Sequence, residues 1–235
     1  MQFDPPLIKT RLIKRYKRFL ADVEMPDGSV QTVHCPNPGS MLGLTEPGNI
    51  AWISDSKNPK RKLRYTLELL EVGGVTVGVN TNHPNRLARE AIEAERVPGL
   101  APYETLKTEV KYGKNSRIDI LLENSQSKNT FVEVKNVHFL RASDIFEFPD
   151  SVTARGAKHL DELADQVRDG NRAVMLYIIQ RSDGNRMKLA SDLDPKYAQA
   201  FKRAHEAGVE AIALRCNVTP LSINAVDPIP FEIPT

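Results

Sequence analysis

The stretch SRIDILLENSQSKNTFVEVKN, residues 116–136, carries the information that decides the fold. Two runs of β-formers flank a polar loop, so it reads as an antiparallel hairpin. Acids interrupt both runs: Asp119 stands between two isoleucines, and Glu133 and Lys135 alternate with Val132 and Val134. A strand has period two, so Glu133 and Lys135 share one face while Val132 and Val134 share the other and can pack on a helix. A register that sets Glu123 against Asn129, with Asn124 to Lys128 as the loop, places Asp119 opposite Glu133, about 5 Å apart at Cβ. Like charges that close repel unless something positive lies between them. A hard divalent cation, Mg²⁺ or Mn²⁺, meets that need: it takes one or two carboxylates, keeps waters and engages phosphate oxygens. The carbonyl of Val134 is a further candidate ligand, and Lys135 can position or deprotonate a water. The combination suits metal-assisted phosphodiester hydrolysis. The competing reading is an ordinary E-x-K step on an exposed strand face, with Asp119 paired to Lys135.

Upstream of this hairpin the chain reads as β-structure. LIKTRLIKRYKRFLADVEM, VQTVHC, NIAWISDS and KLRYTLELLEV-GG-VTVGVN give five strands separated by Gly/Pro corners. They predict a small closed barrel of OB type, with an SH3-like barrel as the alternative. Downstream, Asn85 is placed to cap a helix running to about Glu95, and Asp150 or Ser151 to cap one through AKHLDELADQVR. Ala157, Leu160, Leu163, Ala164 and Val167 form the apolar stripe of that second helix. RAVMLYIIQR reads as a doubly covered central strand. Asp194 and Pro195 open a third helix, and VEAIALRCNV is a last strand before a Pro-rich tail expected to be irregular. The expected fold class is α+β: a barrel over residues 1–81, then an α-β-β-β-α-β-α-β domain over 82–235.

The basic residues fall in two acid-free runs. Lys9, Arg11, Lys14, Arg15, Lys17 and Arg18 lie on the first strand, and five more, Lys57, Lys60, Arg61, Lys62 and Arg64, lie in KNPKRKLR at the connection between the third and fourth strands. OB barrels bind single strands through one face and adjoining loops, and Tyr16, Phe19, Trp52 and Tyr65 offer rings near these charges. A solvated strand face with its aromatics in the core is the other reading. In the second domain Arg155, Lys158, His159 and Glu162 share a helical face opposite the apolar stripe, where Arg155 and Lys158 either hold phosphates or simply face solvent. His34 and Cys35 are adjacent, face opposite sides of a strand and lack a ligand-spaced partner, so a metal site there is not expected. Tyr177 is expected in the core.

With 235 residues, 40% of them hydrophobic, the chain can bury a normal core, and a net charge of +2 names no partner. Its two cysteines make no disulfide framework. No apolar run is long enough to span a bilayer, the start MQFDPPLIKT lacks signal-peptide character, and a cytoplasmic protein is expected. No helix-turn-helix or small-molecule cofactor motif is visible.

The D-x13-E-x-K pattern, on the second and third strands of that order, resembles the PD-(D/E)XK nuclease superfamily. Nearly the whole chain resembles the sugar fermentation stimulation protein family, through RLIKRYKRFLADV, HCPNPGSMLGL, RKLRYTLELLEV, VGVNT, SRIDILL, FVEVKNV, FPDSVTARGAKHLDEL and GNRAVMLYIIQR. The resemblance implies an N-terminal OB-type domain, a C-terminal nuclease-like domain, non-specific DNA binding, and a regulatory link to sugar, especially maltose, utilisation in bacteria. Carried over by residue, Asp119 and Glu133 match metal carboxylates, Lys135 the catalytic lysine, and Glu90 a further helical acid, with Glu93 as its competitor. It leaves open whether the domain cuts nucleic acid or is inert in a DNA-binding regulator.

Overall fold

The computed structural model describes residues 1–113, 116–142 and 144–234. Six strands build the first unit: β1 (Ile8–Tyr16), β2 (Leu20–Glu24), β3 (Val30–His34), β4 (Ile50–Asp55), β5 (Tyr65–Val72) and β6 (Val75–Gly78). They are ordered β3-β2-β1-β4-β5-β6, and β3 also pairs in parallel with β5, which closes the barrel. That closure, with β1 shared between β2 and β4, is the OB arrangement rather than the SH3-like one. Alternate residues of the strands, among them Leu12, Val23, Val33, Ile53 and Leu67, fill its interior. The Gly73-Gly74 turn joins β5 and β6 as expected, with Val72 paired to Val75. The first long run is a hairpin instead of one strand. Lys17 and Arg18 take left-handed backbone angles, φ 46 and 63, at a turn that no Gly, Asn or Pro announces.

The second unit contains α1 (Pro84–Glu93), β7 (Thr105–Tyr112), β8 (Ser116–Glu123), β9 (Thr130–Val137), β10 (Phe139–Ala142), β11 (Asp144–Phe148), α2 (Ala154–Arg168), β12 (Arg172–Ile179), β13 (Gly184–Leu189), α3 (Pro195–Glu206), β14 (Glu210–Val218), β15 (Ile223–Ile229) and β16 (Phe231–Glu232). Its main sheet runs β15-β14-β12-β9-β8-β7, with β9, β12 and β14 parallel and the others antiparallel to their neighbours. Val132, Val134, Val174 and Leu176 pack with Leu87 and Ile92 of α1 on one face. Met175, Tyr177 and Ala173 pack with Leu160 and Leu163 of α2 and Phe201 of α3 on the other.

Several expectations need correction. The sequence pattern does not announce a second sheet, β10-β11-β13-β16, because GNRMKL carries little apolar alternation. The Pro-rich tail is not irregular: β15 tolerates Pro228 because it is an edge strand, where a missing N–H costs no ladder bond. Pro84 occupies the first turn of α1 with His83 as N-cap, so Asn85 is not the cap and its side chain is free for another task. Thr153, not Asp150 or Ser151, caps α2 by accepting from Gly156 N. Asp194 caps α3 as expected.

The two units are tied at several points. Gly78 N donates to Gln180 O at 2.7 Å, and Met41 N to Asp150 Oδ2 at 2.9 Å. Before entering the barrel the chain runs beside β15, where Phe3 N donates to Leu221 O. Cys35 and Cys216 are buried free thiols, His34 is half-buried, and Tyr177 is fully buried. Among the described residues, no helix is long and apolar enough to cross a membrane.

Candidate active site

The hairpin adopts the expected register, with Ile120 against Val132, Leu121 against Phe131 and Leu122 against Thr130. The ladder ends there. Beyond Val132, β9 pairs with β12 from Glu133 through Val137, and β8 pairs with β7 down to Ser116. The two central strands therefore fork at the level of Asp119 and Glu133. Asp119 bridges the fork with its side chain: Oδ2 accepts from the Val134 backbone N–H at 2.7 Å, in place of a ladder carbonyl. Its Oδ1 accepts from Asn85 Nδ2 of α1 at 2.8 Å.

Glu133 points to the α2 face and is 2% exposed. Its Oε1 accepts from Lys135 Nζ at 2.6 Å and from His159 Nδ1 of α2. Arg155 Nε donates to His159 Nε2 at 3.2 Å, which leaves Nδ1 to carry the imidazole proton toward Glu133. Glu133 Oε2 is buried and has no hydrogen-bond partner among the described residues. Lys135 therefore pairs with Glu133 and not with Asp119, on a covered face.

These environments push the two acids apart. Burial first, then the Glu133 charge, lifts the Asp119 carboxyl to about 6, against the Val134 N–H, Lys135 and Asn85. Burial also pushes Glu133 up, but the His159 hydrogen bond and the Lys135 charge outweigh it, and the net direction is down. Burial, then the charges of Glu133, Glu162 and Asp119, push the Tyr112 phenol up.

A cleft of about 430 Å³ opens on the fork, lined by Glu109, Ser116, Arg117, Asp119, Arg155, Lys158 and His159. The helical face carrying Arg155 and Lys158 thus packs beside the site, with both cations at the rim and His159 and Glu162 buried beneath them. Sequence reasoning gave Glu109 no role. It sits at φ 55, where the β7–β8 ladder skips between Thr108 and Val110, and receives a 3.4 Å contact from Asn85. A left-handed glutamate in a strand leaves no mark in a single sequence. Glu90 is not brought to the fork. It binds the N-terminal ammonium at 2.6 Å and Arg86 at 2.8 Å, and that ammonium also donates to Ile223 O at the far edge of the sheet. Glu93 pairs with Arg89 on the surface.

Three or more His, Cys, Asp or Glu side chains in a metal-caging arrangement do not occur among the described residues. The donor set still fits a hard divalent ion, which needs one or two carboxylates and completes its shell with water and substrate oxygen. The unpartnered Oε2 of Glu133, whose charge acts on Asp119, is the observation that favours it. Val134 meets Asp119 through its N–H.

The basic runs differ in what their charges do. Arg15 donates to the carbonyls of Ser40, Arg18, Asn37 and Gly39, and so clamps the barrel's long loop. Arg64 holds Asp55 through two bonds, Arg11 donates to Gly48 O, Arg61 to Thr66 Oγ1, and Lys14 lies 3.6 Å from Asp22. Lys9 stands over the Trp52 ring, and Trp52 packs into the core beside α1 rather than forming an open platform. Lys17, Arg18, Lys60 and Lys62 are exposed, and Phe19 beside Arg18 is 44% exposed. A second cleft of about 740 Å³ runs between the barrel and the second unit, with Arg15, Arg18, Asn136, His138 and Thr153 among its walls.

Comparison with known proteins places this geometry. Residues 13–79 match the family model for the SfsA N-terminal OB domain, and residues 82–222 match that for the sugar fermentation stimulation protein RE domain. Sugar fermentation stimulation protein homologs of Brucella anthropi and Brucella ovis are each 55% identical over 232 residues; they cover 99% of this chain and 100% and 98% of their own. The structure of Pyrococcus furiosus SfsA in complex with Ca²⁺ superposes with a TM-score of 0.88 at 29% identity, covering 99% of this chain and 98% of that one.

Proposed function

We propose, from the premise that the chain belongs to the sugar fermentation stimulation protein family, that it binds DNA without sequence preference and hydrolyses phosphodiester bonds at the fork with Mg²⁺ or Mn²⁺. The observation that carries this reading is the presence of two carboxylates, Asp119 and the buried Glu133, at the level where the β8–β9 ladder ends and the strands fork, with an amine bound to Glu133 from the same strand. The Pyrococcus furiosus relative forms a complex with Ca²⁺, which supports a divalent ion. Asp119 and Glu133 would hold it, with the Val134 carbonyl as a further ligand. Bound there, such an ion supplies Lewis-acid polarisation of a phosphoryl oxygen and lowers the pKa of a coordinated water.

The chain's own groups do the rest. Lys135, held at 2.6 Å from Glu133, directs its amine along the strand face and orients the attacking water. Arg155 and Lys158 at the rim take the non-bridging oxygens of the substrate phosphate and its neighbour. The exposed cations of the β1–β2 turn and the β4–β5 connection hold the backbone further along. We assign the barrel to residues 1–81 and the nuclease-like unit to 82–235.

Incubation of the protein with single-stranded, duplex and branched DNA in Mg²⁺ or Mn²⁺ tests the reading. Cleavage by the wild type, and its loss in Lys135→Ala with DNA affinity unchanged, is the expected result. No cleavage of any substrate by folded wild-type protein would refute it. One observation favours a second reading, a DNA-binding regulator of sugar (maltose) use whose second domain is inert: both oxygens of Asp119 and Oε1 of Glu133 are already engaged by protein donors. Regulation that survives Asp119→Asn intact would select it.

A further inference from the structure

Asn85 lies in the first turn of α1, where His83 is the N-cap. Asparagine is a poor choice inside a helix, because its amide competes for the backbone. Here the amide is turned to the strands: Nδ2 donates to Asp119 Oδ1 at 2.8 Å and reaches Glu109 Oε1 at 3.4 Å. Both partners are carboxylate oxygens, so the amide nitrogen faces them and offers one hydrogen to each.

Glu109 stands opposite Asp119 by register, since Thr108 pairs with Ile120 and Val110 with Ile118. The ladder omits that pair, and Glu109 holds φ 55, a left-handed angle that side chains other than Asn and Asp rarely take. In an unbroken ladder the two acids would face each other directly. With the strand broken there, they meet on one amide nitrogen instead. Backbone strain of this kind persists where the surrounding structure holds it, and functional sites are where it collects. Both acids line the cleft at the fork.

The consequence falls on Asp119. The Val134 N–H holds its Oδ2 at 2.7 Å. One such bond lets a carboxylate pivot about the bonded oxygen, and a second donor on Oδ1 removes the pivot. Each carboxylate oxygen has two lone pairs, so both keep one to offer a cation. Hydrogen bonds that orient a ligating carboxylate add to its hold on metal.

We infer that Asn85 is a positioning residue for Asp119, fixing the carboxylate in its cation-binding orientation, and that Glu109 holds the Asn85 amide in place as its second acceptor. The inference rests on the metal-dependent reading above and adds two residues that act through Asp119 without touching the ion.

Calorimetric titration of the full-length, EDTA-treated protein with Mn²⁺, with urea midpoints measured in EDTA, tests it without any turnover. Asn85→Ala should weaken Mn²⁺ binding roughly tenfold or more, and Glu109→Ala roughly fivefold. Glu109→Gln keeps the acceptor oxygen and should bind within about twofold of wild type, since the lost charge is exposed and screened. Glu109→Gly relieves the left-handed angle, so its urea midpoint should match or exceed that of wild type while its Mn²⁺ affinity falls as in Glu109→Ala; it serves if Asn85→Ala does not fold. Wild-type affinity in Asn85→Ala or Glu109→Gly overturns the positioning role and leaves the Asp119 site standing. Glu109→Gln binding as weakly as Glu109→Ala overturns it too, because Glu109 would then act by its charge. No bound Mn²⁺ in the wild type overturns the metal-dependent reading and this inference with it.

Discussion

Removing one charge at the fork should stabilise the metal-free protein, by an amount that depends on pH in a calculable way. The Asp119 carboxyl is lifted from 3.8 to about 6 in the fold. Below pH 3.8 the group is protonated in both states and favours neither. Between 3.8 and 6 the native state holds a proton that the unfolded state has released, so stability falls as pH rises. Above about 7 the loss is complete, and at 1.36 kcal/mol per pH unit it amounts to about 3 kcal/mol. Asn at 119 removes this term. It can still accept from Val134 N, but it forfeits one of the two acceptor contacts, since Asn85 also presents an amide; that costs about 1 kcal/mol. The net expectation for Asp119→Asn is a loss of about 1 kcal/mol near pH 4 and a gain of about 2 kcal/mol at pH 8.

Urea denaturation of both proteins in EDTA at pH 4, 6 and 8 measures the difference, and titrations common to both cancel. Mn²⁺ should reverse the order at pH 8, because it stabilises only the protein that binds it. A pH-independent difference, or an Asp119→Asn protein less stable than wild type at pH 8 in EDTA, would refute the claim that two buried acids burden the fold until a cation neutralises them.

Other perturbations separate structural from binding charges. Arg15→Ala should cost about 2–3 kcal/mol in denaturation, because it strips the donor from the carbonyls of Ser40, Arg18, Asn37 and Gly39. Replacing Lys17, Lys60 and Lys62 by Gln should leave stability within about 0.5 kcal/mol and lower the salt dependence of DNA binding by roughly one counterion for each lysine removed, read from affinities at several ionic strengths. Gly39→Ala should destabilise by about 2–3 kcal/mol, since its Cβ would stand 2.5 Å from both Asp150 carboxylate oxygens; a thermal melt matching wild type would show that the loop relaxes freely.

What the sequence made legible was whatever depends on local period. Alternation placed Val132 and Val134 against a helix and Glu133 and Lys135 on the opposite face, and the five-residue loop fixed the register. Asp194 followed by Pro195 gave the start of α3. What stayed hidden depends on contacts distant in the chain. Nothing near Glu90 in sequence reveals that the N-terminal ammonium reaches it. Nothing near Asn85 shows that Pro84, by taking the first helical turn, turns the next side chain toward a strand residue 34 positions away. Arg15 looked like a free phosphate ligand because its partners are backbone carbonyls, which carry no residue signature.

The same difference between local pattern and long-range burial separates the site from its bland alternative. An E-x-K step on an open strand would form an ion pair worth well under 1 kcal/mol and would need no further account. Here the Glu133 and Lys135 side chains are 3% and 14% exposed. Taking such a pair out of water costs several kcal/mol per ion, and apolar residues of similar volume would serve stability as well or better. Buried His159, backed by Arg155 at the rim, adds a polar relay whose effect is to fix one oxygen of Glu133 and leave the other bare. A fold that needed only cohesion at this point would fill it with the valines and leucines of the neighbouring positions. Keeping acids, an amine and an imidazole where the sheet forks makes sense for a group that arrives from outside, and the unmatched oxygen of Glu133 is where the proposed cation would bind.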